Sequence, residues 1–387
     1  MKFKVLAILL TTISVSSLEV TVIDGRIQPS NKYVGMFTSQ IQSEVVNTLF
    51  PHVQTPPPAI VDNKVLRFLN LEGDYKADVP LILPSFFVLR LNGSIVDAEN
   101  LTSSDYNGFN GAGLIWMNSS TYSSIQGGIV DATKHPQTQM QAVSVLNGIR
   151  NVVRSVRAKA QFETAIGIRG GTQNEVSYCD AGGDSNSSMI PVRAIWTIAT
   201  SKAYVHHNHV HHSQSHALDF DAYTSSSIAW ENLCEDNKDE GIFVEETAHD
   251  NVICMNTCRR NGNGIGVYSH TVGPVKSNVR FVISLSLSLS LTHSSTQVFF
   301  GNILENNAAN GISSGGMGHQ TTLHSDSNVF FENVARGNNG NSGIEFNPLH
   351  GAVQQNYWFG TMMSASFFSP IPHQEDLNQN VSIFIYK

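Results

Sequence analysis

No stretch of this sequence spaces apolar residues at 3.6-residue intervals long enough to make a helical stripe, which excludes a helix bundle as the main architecture. The apolar run at Val5–Ile13 is too short to span a bilayer. Charged residues are scarce at 14% of 387, and the net charge is −8, so the chain offers no broad basic face and nucleic acid is not an expected partner. Cysteine is limited to four positions, 179, 234, 254 and 258. No second Cys or His pair stands at finger spacing from Cys254 and Cys258, which argues against a zinc module. Asn, Ser, Thr and Gly take the place of the missing charge beside 41% hydrophobic residues. That mixture suits many short strands and turns.

The strands repeat. In register the chain reads TAIGIR at Thr164–Arg169, RAIWTI at Arg193–Ile198, HALDFD at His216–Asp221, EGIFVE at Glu240–Glu245, NGIGVY at Asn263–Tyr268, NGISSG at Asn310–Gly315 and SGIEFN at Ser342–Asn347. A second column holds Asn at 208, 232, 256, 302 and 333, in steps of 24, 24, 46 and 31. Self-similarity at 20 to 50 residues signals a solenoid whose turns cover one another's apolar faces. A leucine-rich repeat needs several Leu per turn and these rungs have one or none, so the expected fold is all-β, a parallel β-helix of about ten turns. Ile166, Ile195, Leu218, Ile242 and Ile265 form the expected inward column, and the Asn residues an amide ladder at the turns.

The 46-residue step holds only one recognisable rung. Removing the low-complexity segment Val279–Gln297 joins Asn278 to Val298 and gives NVFFGN, which matches NVFFEN at Asn328–Asn333. An insertion over 279–297 is therefore expected. Lys2 and Lys4 ahead of Val5–Ile13, followed by small residues, have the layout of a secretory signal peptide over 1–17, and sequons at Asn92, Asn100, Asn118, Asn186 and Asn380 suit a secreted glycoprotein. The remaining organisation reads as an irregular cap over 18–60, one β-helix domain over 61–360 and a tail or cap over 361–387.

In a strand the residues flanking the inward column face the other way. Arg193, His216, Asp219, Asp221, Glu245 and Tyr268 then fall on one outward patch ~15 Å tall, with Trp196, Phe243 and Tyr268 as flat aromatic borders. Acids, a base, a cation and aromatic faces together suit a sugar-binding groove.

IxGGxxDA at Ile125–Ala132 resembles coils of pectin-lyase-like right-handed β-helix proteins. HALDFDAYTSSSIAWENLCEDNKDEGIFVEE, followed by NVICMNTCRRNGNGIGVYS, resembles the catalytic coils of mannuronan C5-epimerases and alginate lyases. On that family's Tyr-Gly-Phe-Asp-Pro-His motif, Asp219 takes the catalytic Asp position, His216 replaces the Tyr and Asp221 the His; Arg193 and Lys202 are candidates for its Lys. The resemblance implies a secreted, monomeric enzyme acting on an anionic polysaccharide. It would abstract the C5 proton of a uronate, followed by epimerisation or β-elimination. Asp219, His216, Asp221 and Tyr268 are the implied catalytic residues, and Arg193, Arg169, Trp196, Phe243 and Glu245 the substrate-binding ones. The substrate carboxylate must be neutralised by Arg193, Arg169 or a Ca2+ ion on Asp219, Asp221 and Glu245.

Two other readings stand beside it. Asp219 and Glu245 on neighbouring rungs are candidates for inverting glycoside hydrolysis, which needs carboxyl groups roughly 6.5–9.5 Å apart. A non-catalytic polysaccharide-binding or matrix protein is the other, because a fold does not fix function. Cys234 and Cys258 stand on adjacent rungs and form either a disulfide or part of a column of small buried residues. In the histidine tract at His206–His212, His207, His209 and His211 share a face but lie about 7 Å apart at each step, too far for one ion to bind all three, which leaves His207 or His209 paired with an acid on the next rung.

Overall fold

The computed structural model describes residues 17–23, 35–37, 66–77, 80–97, 112–133, 140–161, 164–183, 190–245, 247–269, 297–316, 329–331, 333–339, 344–347, 357–359, 362–363 and 382–384. Every element among them is a strand, and every pairing between strands is parallel. No helix among the described residues is long and apolar enough to cross a membrane. The chain divides into two compact units, Met1–Pro191 and Val192–Lys387. A solenoid coil touches only its neighbours, so the repeat pattern itself carries no sign of such a division.

In the first unit, Gly113–Asn118, Gln141–Leu146 and Thr164–Arg169 stack as one face of the coil. Ser124–Gln126, Val152–Arg154 and Glu175–Ser177 make a second, and Ile129–Ala132, Arg157–Ala160 and Asp180–Gly182 a third. The stretch 18–60, read from sequence as irregular, contributes strands: Ser17–Ile23 pairs with Leu66–Ala77 from its first residue, and Gly35–Phe37 pairs with the same strand. Residues 1–16 of the expected signal peptide lie outside the described residues.

The second unit repeats the three faces. Arg193–Ile198, Leu218–Phe220, Glu240–Glu245, Asn263–Ser269, Ile312–Gly316 and Ile344–Asn347 form the face that carries the candidate site. Its inward column is Ile195, Leu218, Ile242, Ile265 and Ile312, paired in register as the repeat predicts and wholly buried. Val205, Ala229, Ile253 and Phe299 fill the core from the second face, and Val210, Cys234, Cys258, Leu304 and Ala335 from the third. A fully buried Ile or Leu contributes about 1.5–3 kcal/mol, so the columns are the main source of cohesion. The tail expected at 361–387 also supplies strands, at Met362–Met363 and Ser382–Phe384.

Each corner between the second and third faces turns on one residue in the left-handed region: His207 (φ 54), Glu231 (φ 50) and Met255 (φ 55). The residue after each is a ladder Asn. Asn208 donates its side-chain amide to Asn232, Asn232 to Asn256, Asn256 to Asn302 and Asn302 to Asn333, at 2.8–3.1 Å. The expected ladder is thus present, and a second one lies beside it in Asn237, Asn261, Asn307 and Asn338. Left-handed φ costs a non-glycine residue about 1–2 kcal/mol, and the buried amide bonds offset it.

Asn256 and Asn302 are direct ladder partners, so the 46 residues between them close a single rung. The expected insertion lies outside the described residues except at its last position, which must be returned to the coil. Gln297 is fully buried, accepts the Asn251 backbone N–H at 3.1 Å and donates to the Ala248 carbonyl at 2.9 Å. Glutamine ends in the same amide as asparagine, so it continues a ladder that a residue-by-residue match to Asn overlooks. Cys234 and Cys258 are in register as buried free thiols.

Candidate functional site

Parallel register places Trp196, Asp219, Phe243 and Gly266 side by side on the outward side of the site-bearing face. The expected exposure to solvent holds in part for Trp196 and not for the acids or Phe243. Asp219 is 0% exposed, Phe243 1%, Asp221 7% and Glu245 8%. Rungs lie only about 4.8 Å apart, so long side chains at the strand starts reach across the shorter ones. Arg193 donates from Nε to Asp219 Oδ2 at 2.5 Å, and its Nη2 stands 4.0 Å from Glu245 Oε1. The same guanidinium lies over the Trp196 ring, 5.3 Å from its centroid. Trp196 in turn donates its indole N–H to Asp221 Oδ2 at 2.8 Å, while Asp221 Oδ1 accepts the Ala222 backbone N–H.

Beside this cluster runs a second chain of contacts. His216 Nδ1 meets Glu240 Oε2 at 2.7 Å, and Asn263 donates to Glu240 Oε1 at 3.1 Å. The His216 ring stacks on Phe243 with centroids 4.0 Å apart, and Phe243 lies 5.6 Å from Tyr268. Tyr268 bonds the Ser313 hydroxyl through its own. Gly266 makes the crowding possible, because a Cβ there would stand 2.7 Å from Glu240 Cγ and 2.9 Å from the Phe243 ring. Phe243 is therefore a buried support under His216 and not the sugar platform expected from sequence.

Charge balance explains the electrostatics. Three carboxylates, Asp219, Asp221 and Glu245, have ligand-capable oxygens within 4.8 Å of one another, and Arg193 pairs with Asp219 and Glu245. Burial, then the neighbouring Glu245, raise the Asp219 pKa well above the usual carboxylate range, against the pull of Arg193 and His216. Asp219 Oδ1 has no hydrogen-bond partner although it is buried, which is costly for a polar atom. Arg193 is held more firmly protonated: burial works against its charge, but Asp219, Asp221 and Glu245 outweigh it. Burial also lowers the His216 pKa, yet the bond to Glu240 and the nearby Asp219 carry it upward overall. Glu240 shifts down, because its bond to His216 overcomes the burial penalty. The two opposite shifts have one cause, the contact between the His216 ring and the Glu240 carboxylate.

Oxygens bound to a common calcium ion at about 2.4 Å stand at most ~4.8 Å apart. The Asp219, Asp221 and Glu245 set meets that span, with the unpartnered Asp219 Oδ1 as a natural ligand; Arg193 already supplies a competing positive charge. His216, Asp239 and Glu240 form another group of ligand atoms within 4.8 Å.

Of the residues singled out from sequence, Arg193, Trp196, His216, Asp219, Asp221, Phe243, Glu245 and Tyr268 lie in these two connected clusters. Arg169 is an exposed strand-end residue of the first unit, and Lys202 an exposed turn residue at φ 53. Glu240, Asn263 and Ser313 had been placed on the rungs without a chemical role. The signal for Glu240 was its step of 24 residues from His216, the same as the ladder's.

These features define the architecture as a right-handed parallel β-helix of the pectin-lyase-like kind. No protein-family model and no curated protein matches the sequence. Among solved structures, the chain is similar to the polygalacturonase from Erwinia carotovora ssp. carotovora at TM-score 0.52 and 14% identity, over 96% of this chain and 97% of that one. It is also similar to the periplasmic alginate epimerase AlgG, at TM-score 0.50 and 8% identity over 77% of this chain and 75% of that one. The Dettilon tailspike protein gives TM-score 0.52 and 12% identity over 93% and 66% of the two chains. At these identities the likeness is one of fold.

Proposed function

We propose that the protein is a secreted, monomeric enzyme acting on an anionic polysaccharide, abstracting the C5 proton of a uronate residue to give epimerisation or β-elimination. The observation that carries this reading is the pairing of a glutamate-oriented histidine with an arginine held over buried acids, on one face of a polysaccharide-enzyme fold. The similar solved structures include an alginate epimerase and a polygalacturonase. C5–H becomes acidic only when the adjacent carboxylate is neutralised, and Arg193, at 28% side-chain exposure, is the cation with access. Asp219 is a positioning residue in this account: it anchors Arg193 and does not itself touch the sugar. His216 takes the proton, with Glu240 fixing its tautomer through Nδ1. Tyr268, polarised by Ser313, serves the opposite face. A calcium ion held by Asp219, Asp221 and Glu245 would supply the same neutralisation as Arg193.

The test incubates the purified protein with alginate, pectate and a glucuronan, following ultraviolet absorbance of unsaturated ends for elimination and proton NMR for C5 inversion. New reducing ends without unsaturation indicate hydrolysis, and binding without any product indicates a binding module. Either outcome rejects the assignment.

A further inference from the structure

The corner that precedes Asn208 holds two histidines in an arrangement the proposed reaction does not use. His206 ends the strand Tyr204–His206, and His207 follows it in the left-handed region at φ 54. Successive strand residues normally point to opposite sides, but here the turn brings the rings together, with Nδ1 of His206 2.9 Å from Nδ1 of His207. The other nitrogen of His207, Nε2, lies 2.7 Å from Glu231 Oε2. A carboxylate only accepts, so His207 donates from Nε2 and, when neutral, turns its Nδ1 lone pair toward His206.

The geometry points to a site for a late divalent transition metal, Cu2+ foremost, chelated by Nδ1 of His206 and Nδ1 of His207. Two imidazole nitrogens at cis positions of a square-planar ion, each about 2.0–2.1 Å from it, are about 2.8–3.0 Å apart, and the observed separation lies in that range. Glu231 supplies what a metal-bound histidine ordinarily has, a carboxylate on its second nitrogen that fixes the tautomer. His206 is held by stacking on Tyr204, with centroids 4.1 Å apart, and is 7% exposed, whereas His207 is 27% exposed and opens the pair to solvent. Two nitrogens leave further positions on the ion for water or a ligand. Cu2+ and Ni2+ suit such a set better than Zn2+, which prefers four tetrahedral ligands. The cause is the coil itself: the next corner repeats the contact, His211 Nδ1 to His212 Nδ1 at 2.8 Å with His212 at φ 51.

Trp230 gives a local reporter, its ring centroid 4.9 Å from that of His207 and 6.1 Å from that of His206. The experiment titrates the full-length protein with Cu2+, reading tryptophan fluorescence and the electron paramagnetic resonance spectrum. The expected result is saturable quenching that disappears in Trp230→Phe, together with hyperfine splitting from two nitrogens that, in a His212→Ala background, His207→Ala removes. Glu231→Gln should retain the fold by circular dichroism and weaken the midpoint by about tenfold or more. His212→Ala should leave the Trp230 signal in place. Quenching unchanged in His207→Ala and Glu231→Gln, or no nitrogen splitting in the wild type, overturns the assignment. Should His207→Ala fail to fold, Glu231→Gln and the wild-type spectrum still decide it.

Discussion

Asn256→Ala tests whether the amide ladder holds the site-bearing coils together. The Asn256 amide is fully buried and makes four bonds. Its oxygen accepts the Asn232 backbone N–H and the Asn232 side-chain amide, both at 2.9 Å, and its nitrogen donates to Asn302 Oδ1 at 3.1 Å and to the Ala229 carbonyl at 3.0 Å. Alanine strands the Asn232 backbone N–H and one of its two amide hydrogens; the other keeps its bond to the Val205 carbonyl. Two buried donors without acceptors cost about 1–3 kcal/mol each, so the loss is about 2–6 kcal/mol. Native-state hydrogen exchange reads it at the affected atom: protection of the Asn232 amide should fall at least ~30-fold, since 1.4 kcal/mol is a factor of ten. Asn256→Asp keeps the accepting oxygen but turns a second oxygen toward two acceptors. It should therefore be destabilised at neutral pH and partly recover in acid, where a protonated carboxyl can donate again. A loss below ~1 kcal/mol in Asn256→Ala, with Asn232 protection unchanged, would refute the ladder as a source of stability.

Asp219→Asn should abolish turnover of a polyuronate while leaving the fold intact. The folded pKa of Asp219 is raised, so as pH climbs above its unfolded value of about 3.9 the unfolded chain gives up its proton first and the wild type loses stability. Melting temperatures across pH 4–8 should fall more steeply for the wild type than for the variant, and parallel curves would contradict the assigned direction. His216 adds a slope of the same sign in a higher pH window. Its contribution is complete below about pH 6.5 and fades as pH rises through that group's raised folded pKa, so Glu240→Gln should move the acid limb of the kcat profile to lower pH; an unmoved limb would remove His216 as the base. Cys234 and Cys258 are fully buried, and burial raises the Cys258 thiol well above its usual range; if the thiols persist, a thiol reagent should label them only as fast as the protein unfolds, and rapid labelling in native buffer would show the coil to be open there.

The inward columns were legible because one property decides them. Ile195, Leu218, Ile242 and Ile265 are apolar, recur at the same place in each rung and have no competing role, so alignment by eye and hydrogen-bond register agree. The Asn ladder was legible for the same reason, yet the neighbouring column in which Asn251 meets Gln297 was not, because a search for identical letters does not see that the two side chains end in the same group. The site was legible as a set of residues and not as a surface. Period-two alternation tells which side of the sheet Asp219 and Phe243 occupy, but whether a neighbour such as Arg193 or His216 folds over them depends on side-chain reach between rungs, which no strand pattern encodes. Glu240 shows the same limit: its place in the column was evident, while its role came only from the 2.7 Å contact to His216. His207 and His209 do each meet an acid on the next rung, Glu231 and Glu235, whereas the contact of His206 with His207 was not legible, because the alternation rule fails where a left-handed corner residue interrupts the strand.

Because the ladder bonds run between rungs, the length of chain stored in a rung is independent of the bonds that close it. Asn232 to Asn256 spans 24 residues and Asn256 to Asn302 spans 46, yet both rungs are shut by the same amide contacts. Under tension applied to its end, a coil of this kind should release chain in discrete increments, roughly 8 nm for an ordinary rung and roughly 16 nm for the long one at about 3.4 Å per residue. Both rungs are shut by the same kind of amide contact, so added chain lengthens the extension released without changing the bonds that make the seam.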